Sequence, residues 1–262
     1  MLTSQDELLE TGLTGVALKP TEVDLSAVKE LPLPVAVIDF EGIDHLPARP
    51  TFERLADQVD LRVTAPVRAD GFDPLGDDSA FDRIPVDIDH VLVAGNPAYL
   101  TAAERQRAIA PRFGAALDRV NDPWIGTENV ERLALATGAG QFELLGPTTE
   151  RDFRGLRAAG FDGPLAVYAP TVLSPDDDIV LDAVGDYLAR REPVREQLPR
   201  EARTDHRAAG RIRDTLLDAV ADYVIAGGLT EIRERVETLH DAGADSVIAY
   251  PAEGLAGFGD WS

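Results

Sequence analysis

A (β/α)8 barrel is the fold this sequence predicts, and three observations predict it. Eight short, apolar, β-branched runs are spaced along the 262 residues. Amphipathic, helix-like stretches alternate with them, and one stands directly ahead of each of the last four. The length is close to the roughly 250 residues on which such a barrel closes as one unit. The runs are Gly15–Pro20, Pro34–Phe40, Leu61–Val67, His90–Gly95, Pro123–Thr127, Gln141–Gly146, Pro164–Pro170 and Ser246–Pro251. A barrel of this kind gathers its chemistry at the carboxyl ends of its strands, so polar residues there carry the functional expectation.

Two excursions interrupt the alternation within what reads as a single domain over residues 1–262. Asp70–Asp87, between the third and fourth runs, holds Gly71, Pro74, Gly76 and Pro85, which break regular structure; it is expected as an irregular βα connection covering the barrel mouth. The second, near 174–215, opens with a helix that Ser174 or an early Asp caps and continues into an Arg/Glu-rich stretch, solvated and helical in part. A further helix is predicted from Leu229 or Thr230, with Thr230 as its cap. Ile232, Val236 and Leu239 lie on its apolar face, and Gly243 ends it before the last strand. YVIAGG, just ahead of that helix, would be a ninth strand if counted.

Composition narrows the function classes. The hydrophobic fraction of 44% supports a globular core. No apolar stretch approaches the roughly 20 residues of a membrane span, and the start MLTSQDELLE lacks the blocks of a secretory signal, so a cytoplasmic protein is expected. The absence of cysteine excludes disulfides, thiolate catalysis and cysteine-held metals. His45, His90, His206 and His240 are scattered, with no metal-binding pair at helical spacing. The net charge is −22, and Lys19 and Lys29 are the only lysines. Such a surface suits solvation at high salt and resembles that of salt-in halophilic archaea; an acidic face for a basic partner is the other reading. No basic stripe offsets the acidic field, so no nucleic-acid partner is expected.

From Pro123 to Gly254 the sequence resembles the luciferase-like monooxygenase superfamily, flavin- or deazaflavin-dependent oxidoreductases built on the same barrel. Four stretches carry the resemblance in order: PWIGTENVERLALATGAGQFELLG, TERDFRGLRAAGFDGPLAVYAPTVLSPDDD, the long excursion after it, and YVIAGGLTEIRERVETLHDAGADSVIAYPAEG. The last is the most specific. The chain departs from the family in being short, in carrying little family text before Asp122, and in replacing the Gly-rich A-x-G-P turn, which helps hold the cofactor phosphate, by Gly126-Thr127-Glu128-Asn129. The resemblance implies a coenzyme F420 (deazaflavin) or FMN cofactor, hydride transfer to or from a small organic substrate, and a homodimer. The departures leave open a barrel that has lost its cofactor and acts as a binding or regulatory protein. YVIAGGLTEI with GADSVIAY also resembles the last units of phosphosugar-binding barrels, where Gly227-Gly228 would hold phosphate.

The candidate residues stand at strand ends. Asp39 and Glu41, after the second run, share one side of the strand, and with His45 just beyond they can transfer protons or serve as ordinary cap and loop residues. Lys19, after the first run, can bind an anionic cofactor or substrate, form a Schiff base, or simply face solvent. Thr64 and Arg68 come from the third run; Arg68 can clamp a phosphate or carboxylate, or pair with Asp70. Gly95 and Asn96 end the fourth, and Gly126, Thr127 and Asn129 form the fifth turn. Tyr168 in the seventh, with Gly227 and Gly228, completes the cofactor-binding expectation. No metal site is expected.

Overall fold

The computed structural model describes residues 4–96, 99–127 and 130–258. Its strands are β1 (Gly15–Leu18), β2 (Val35–Ile38), β3 (Asp60–Pro66), β4 (Asp89–Val93), β5 (Trp124–Thr127), β6 (Gly140–Leu144), β7 (Leu165–Val172), β8 (Ile225–Ala226) and β9 (Ser246–Pro251). β1 to β7 pair in sequence order, and β9 pairs with both β7 and β1, which closes a ring of eight parallel strands. The fold is therefore a (β/α)8 TIM barrel. Each of the eight apolar runs supplies one strand of the ring.

β8, from YVIAGG, is the ninth strand and lies outside the ring. Strand carbonyls point alternately to the two edges, so Tyr168 and Val172 present theirs to the same edge of β7. Tyr168 accepts from the Leu145 N–H at 2.9 Å, and Val172 accepts from the Gly227 N–H at 3.2 Å. β8 thus takes over the β6-facing edge of β7 above the point where β6 ends.

Helices Arg49–Ala56, Ile109–Leu117, Val130–Thr137, Thr149–Ala158 and Leu229–Asp241 lead into β3, β5, β6, β7 and β9. Their apolar residues recur every three or four positions, so each helix turns one stripe to the barrel. Phe52 with Leu55, Phe153 with Leu156, and Ile232 with Val236 and Leu239 are buried this way. Each such side chain contributes roughly 1.5–3 kcal/mol relative to exposure. The last of these helices is capped by Gly228, with no side-chain cap bond, and not by Thr230; Leu229 already has helical backbone.

Between β3 and β4 the only helical element is the 3-10 turn Phe81–Arg83. The Asp70–Asp87 excursion runs down the barrel's flank instead of covering the mouth. Asp70 at its upper end bonds Glu104 and Arg107. Phe72 and Phe81 pack edge to face, and Phe81 lies against His90, which opens β4 at the amino end. Burial, and then the charge of Arg119, hold the His90 imidazole neutral, lowering its pKa to about 4. The second excursion begins with helix Asp177–Ala189, capped by Asp176 through the Asp178 N–H. It continues through the short helix Glu192–Arg195 and an irregular segment into helix Arg211–Tyr223. Among the described residues no helix is long and apolar enough to cross a membrane.

Candidate active site at the barrel mouth

Strand alternation stacks the inward-facing residues in two layers. In the lower layer seven strands contribute Ala17, Val37, Val91, Trp124, Phe142, Ala166 and Ile248, all buried. β3 contributes Arg62, which reaches Asp89 at 3.0 Å and lays its guanidinium 3.9 Å from the centroid of the Trp124 ring. Two residues further along each strand come Lys19, Asp39, Thr64, Val93, Gly126, Leu144, Tyr168 and Tyr250. Seven of these eight are partly exposed, and only Thr64 is fully buried. The barrel is thus sealed below and opens at its carboxyl end onto a polar, aromatic layer.

β2 delivers Asp39 into this mouth because Val35, Val37 and Asp39 share one face of the strand. A relay fixes its carboxyl group. The Phe40 N–H donates to Thr64 Oγ1 at 2.6 Å, and Thr64 Oγ1 donates to Asp39 Oδ1 at 2.9 Å. Since the hydroxyl has one proton, the backbone N–H forces it toward the carboxylate. Burial pushes the Asp39 pKa above the usual carboxylate range, against the hydrogen bond from Thr64 and the charge of Lys19.

On the opposite side of β1, Lys19 Nζ donates to Glu22 Oε1 at 3.1 Å and to the Tyr250 hydroxyl at 3.0 Å, and Tyr250 in turn donates to Glu22 Oε2. Burial works against the lysine's charge, but the bonds to Tyr250 and Glu22 outweigh it and hold the ammonium protonated. The Tyr250 pKa is pushed up to about 12, by burial first and then by its bond to Glu22. Tyr168 lies parallel to Phe142, ring centroids 4.3 Å apart, and Phe142 stacks on Trp124 at 5.8 Å. Burial, and then the Asp39 charge, push the Tyr168 phenol up. The mouth therefore offers one carboxyl group whose pKa burial raises, one cation held by Tyr250 and Glu22, and two neutral phenols around an aromatic floor.

Lys19, Asp39, Thr64, Gly126 and Tyr168, all expected from sequence, meet in this layer. The other expected residues lie elsewhere. Glu41 faces the first turn, where its Oε2 accepts from the Thr21 N–H at 2.8 Å and from Thr21 Oγ1 at 2.6 Å, while Tyr99 donates to Oε1 at 3.5 Å. His45 is exposed in the 3-10 turn Ile43–His45. Arg68 donates to the carbonyls of Ala94 (2.6 Å), Gly95 (3.2 Å) and Arg105 (3.0 Å), so it braces the β4 turn; Asp70 pairs with Arg107 instead. Gly95 packs between Leu100 and Pro66, and Asn96, next to it, is exposed. Thr127 ends β5. Asn129 falls outside the described residues.

Gly227 and Gly228 lead into helix Leu229–Asp241, but the first-turn Glu231 folds back on them. A Cβ on Gly227 would stand 2.7 Å from Glu231 Cβ, and one on Gly228 would stand 3.1 Å from its carboxylate oxygen. The positive end of the helix already faces a negative charge, which disfavours phosphate there. Tyr250 is the polar residue of this layer absent from the sequence expectation. Its signal was the alternation Ile248, Tyr250 within SVIAYP.

A family model matches residues 8–258, nearly the whole barrel. The chain belongs to DUF7388, a family of unknown function. No curated protein matches this DUF7388 chain in sequence. Among solved structures, it is similar to the coenzyme F420-dependent tetrahydromethanopterin reductase from Methanopyrus kandleri. The TM-score is 0.59 at 13% identity, over 92% of this chain and 94% of that one. It is also similar to an F420-dependent secondary alcohol dehydrogenase in complex with an F420–acetone adduct, with a TM-score of 0.58 at 12% identity, over 94% and 96% of the two chains. At these identities the likeness establishes the fold.

Proposed function

We propose that this DUF7388 protein is a luciferase-like oxidoreductase that takes coenzyme F420 or FMN into the barrel mouth and exchanges a hydride with a small organic substrate. The observation that carries the reading is the opening of the upper layer onto Asp39, whose carboxyl group is oriented by Thr64 and held above the usual pKa. Two structures of similar fold are, by their names, F420-dependent enzymes. The proposal extends to a homodimer in the cytoplasm of a halophilic archaeon, which the resemblance and the acidic composition support.

The lining fits a flat polar ring. Phe142 covers one face of Tyr168, and Tyr168 and Tyr250 are both partly exposed to the mouth. Lys19 supplies a cation that stays charged. The fit at Gly227-Gly228 is poor because Glu231 occupies that turn, which also argues against a sugar-phosphate ligand there. The cofactor, when bound, accepts or supplies the hydride. The chain's own part is to hold or release one proton at Asp39, keep that carboxyl group fixed through Thr64, and exclude water below the mouth with the sealed lower layer.

The test is fluorescence titration of the protein with F420 and with FMN in molar potassium chloride, on wild type, Asp39→Asn and Tyr168→Ala. Saturable binding that Tyr168→Ala weakens and Asp39→Asn preserves is the expected result. The absence of binding up to high micromolar cofactor would end the redox reading and leave a barrel that serves as a binding protein.

A further inference from the structure

We propose that the excursion after β7 carries a second site, an anion-binding cleft for a small molecule with two or more oxyacid groups. This cleft is separate from the barrel mouth and needs no redox cofactor. In a chain of net charge −22, residues 190–213 reverse the sign, with eight arginines against four carboxylates. Three of those arginines border a cleft of about 410 Å³, within the range of small-molecule sites.

Three arginines are among the residues that line the cleft. Arg190 stands at the end of helix Asp177–Ala189, Arg195 ends the short helix Glu192–Arg195, and Arg200 comes from the irregular segment beyond. Among the described residues neither Arg190 nor Arg200 forms an ion pair, and Arg195 reaches Glu192 at a long 3.6 Å. The one carboxylate in the lining, Asp186, already accepts the Thr204 hydroxyl. Leu198 and Pro199 add an apolar wall. None of these residues belongs to the barrel mouth.

The cleft is built, not incidental to loose chain. A Cβ on Gly185 would stand 1.8 Å from the Thr204 carbonyl oxygen, so only glycine lets the irregular segment lie against the helix. Asp182 then pins the segment by accepting from the His206 N–H at 2.9 Å. The arginines extend from this clamped frame. Three positive charges against one negative select a multivalent anion. Guanidinium groups bind carboxylate and phosphate oxygens with paired N–H donors, and citrate and pyrophosphate are probes for the two chemistries.

The experiment is isothermal titration of the full chain with citrate, pyrophosphate and, as a neutral control, glycerol. It is run in potassium chloride from the lowest concentration that preserves the far-UV circular dichroism spectrum up to about 1 M. Saturable binding of citrate or pyrophosphate is expected, weakened roughly ten-fold or more by Arg190→Gln or Arg200→Gln, since each removes a charge-assisted contact. Asp186→Asn should tighten it. Arg233→Gln, which acts on an ion pair with Glu10, should leave it unchanged. No binding up to tens of millimolar would overturn the proposal, as would equal weakening by Arg233→Gln, because that signals bulk charge alone.

Discussion

Thr64→Val tests the relay that positions Asp39. Valine keeps the shape of threonine and removes only the hydroxyl, so the buried Phe40 N–H loses its acceptor and Asp39 loses its donor. An unsatisfied buried N–H costs about 1–3 kcal/mol. For a chain of this size each kcal/mol moves Tm by roughly 2–4 °C, so a cost of about 2 kcal/mol lowers Tm by about 4–8 °C. The hydrogen bond from Thr64 favours the ionised carboxylate, so its loss raises the Asp39 pKa further. Thr64→Ser keeps the hydroxyl and should keep both properties near wild type. The assays are thermal unfolding in molar potassium chloride and carbon-13 NMR titration of the Asp39 carboxyl. If Thr64→Val unfolds with wild type and leaves the Asp39 titration unmoved, the relay does not position the carboxyl group.

Four other substitutions have signs that follow from the structure. Asp39→Asn should raise Tm at neutral pH. A carboxyl group with a folded-state pKa above its unfolded value of about 3.9 stabilises the fold below that value and loses the contribution as pH rises through the folded pKa. The advantage of the variant should therefore vanish below about pH 4, and unfolding scans across pH check it. Asp73, 2% exposed, accepts a hydrogen bond from Arg112 Nε at 2.8 Å and forms an ion pair with Arg107 Nη1 at 3.1 Å, so Asp73→Asn should cost about 3 kcal/mol by removing the charge both guanidinium groups pair with. Asp70→Asn, at the exposed partner of the same Arg107, should cost under about 1 kcal/mol, and denaturant titrations of the two variants check the difference. Gly185→Ala gains about 1 kcal/mol of helix propensity but drives a methyl into the Thr204 carbonyl, an overpacking cost of about 1–3 kcal/mol. The expected result is a net loss in Tm together with loss of citrate and pyrophosphate binding at the arginine cleft.

The ring of strands was legible because period-two burial leaves its mark on each strand alone. PVAVIDF reads as strand without knowledge of its neighbours, and its last inward position is Asp39. The same rule applied to SVIAYP yields Tyr250, which became visible only once Ile248 was known to face inward. Other parts were not legible because their partners are distant in sequence. Nothing near Arg68 announces that its donors go to carbonyls at 94, 95 and 105. Glu41 follows Asp39 by two residues, yet the chain has left the strand there, and Thr21 sets its direction. The Gly227-Gly228 pair has the composition of a phosphate turn, but Glu231, one helical turn on, has a side chain long enough to reach back over it. Thr230 failed as a cap because the glycine ahead of it already supplied the non-helical residue the helix needs.

The acidity of the chain bears on how any anion reaches either site. A net charge of −22 repels anions over the Debye length, about 8 Å at physiological salt and about 3 Å at 1 M. Raising salt therefore removes a barrier to encounter before it weakens the short, partly buried contacts at Lys19 or the arginine cleft. For most cation-lined sites, steering is attractive and association slows with salt. Here association of citrate, pyrophosphate or an anionic cofactor should accelerate as potassium chloride rises toward the molar range, with dissociation changing less. Stopped-flow association rates across that range check the sign. A rate that falls steadily with salt would mean that the cationic clusters project a field past the acidic surface, and recognition in this protein would then begin at long range instead of at contact.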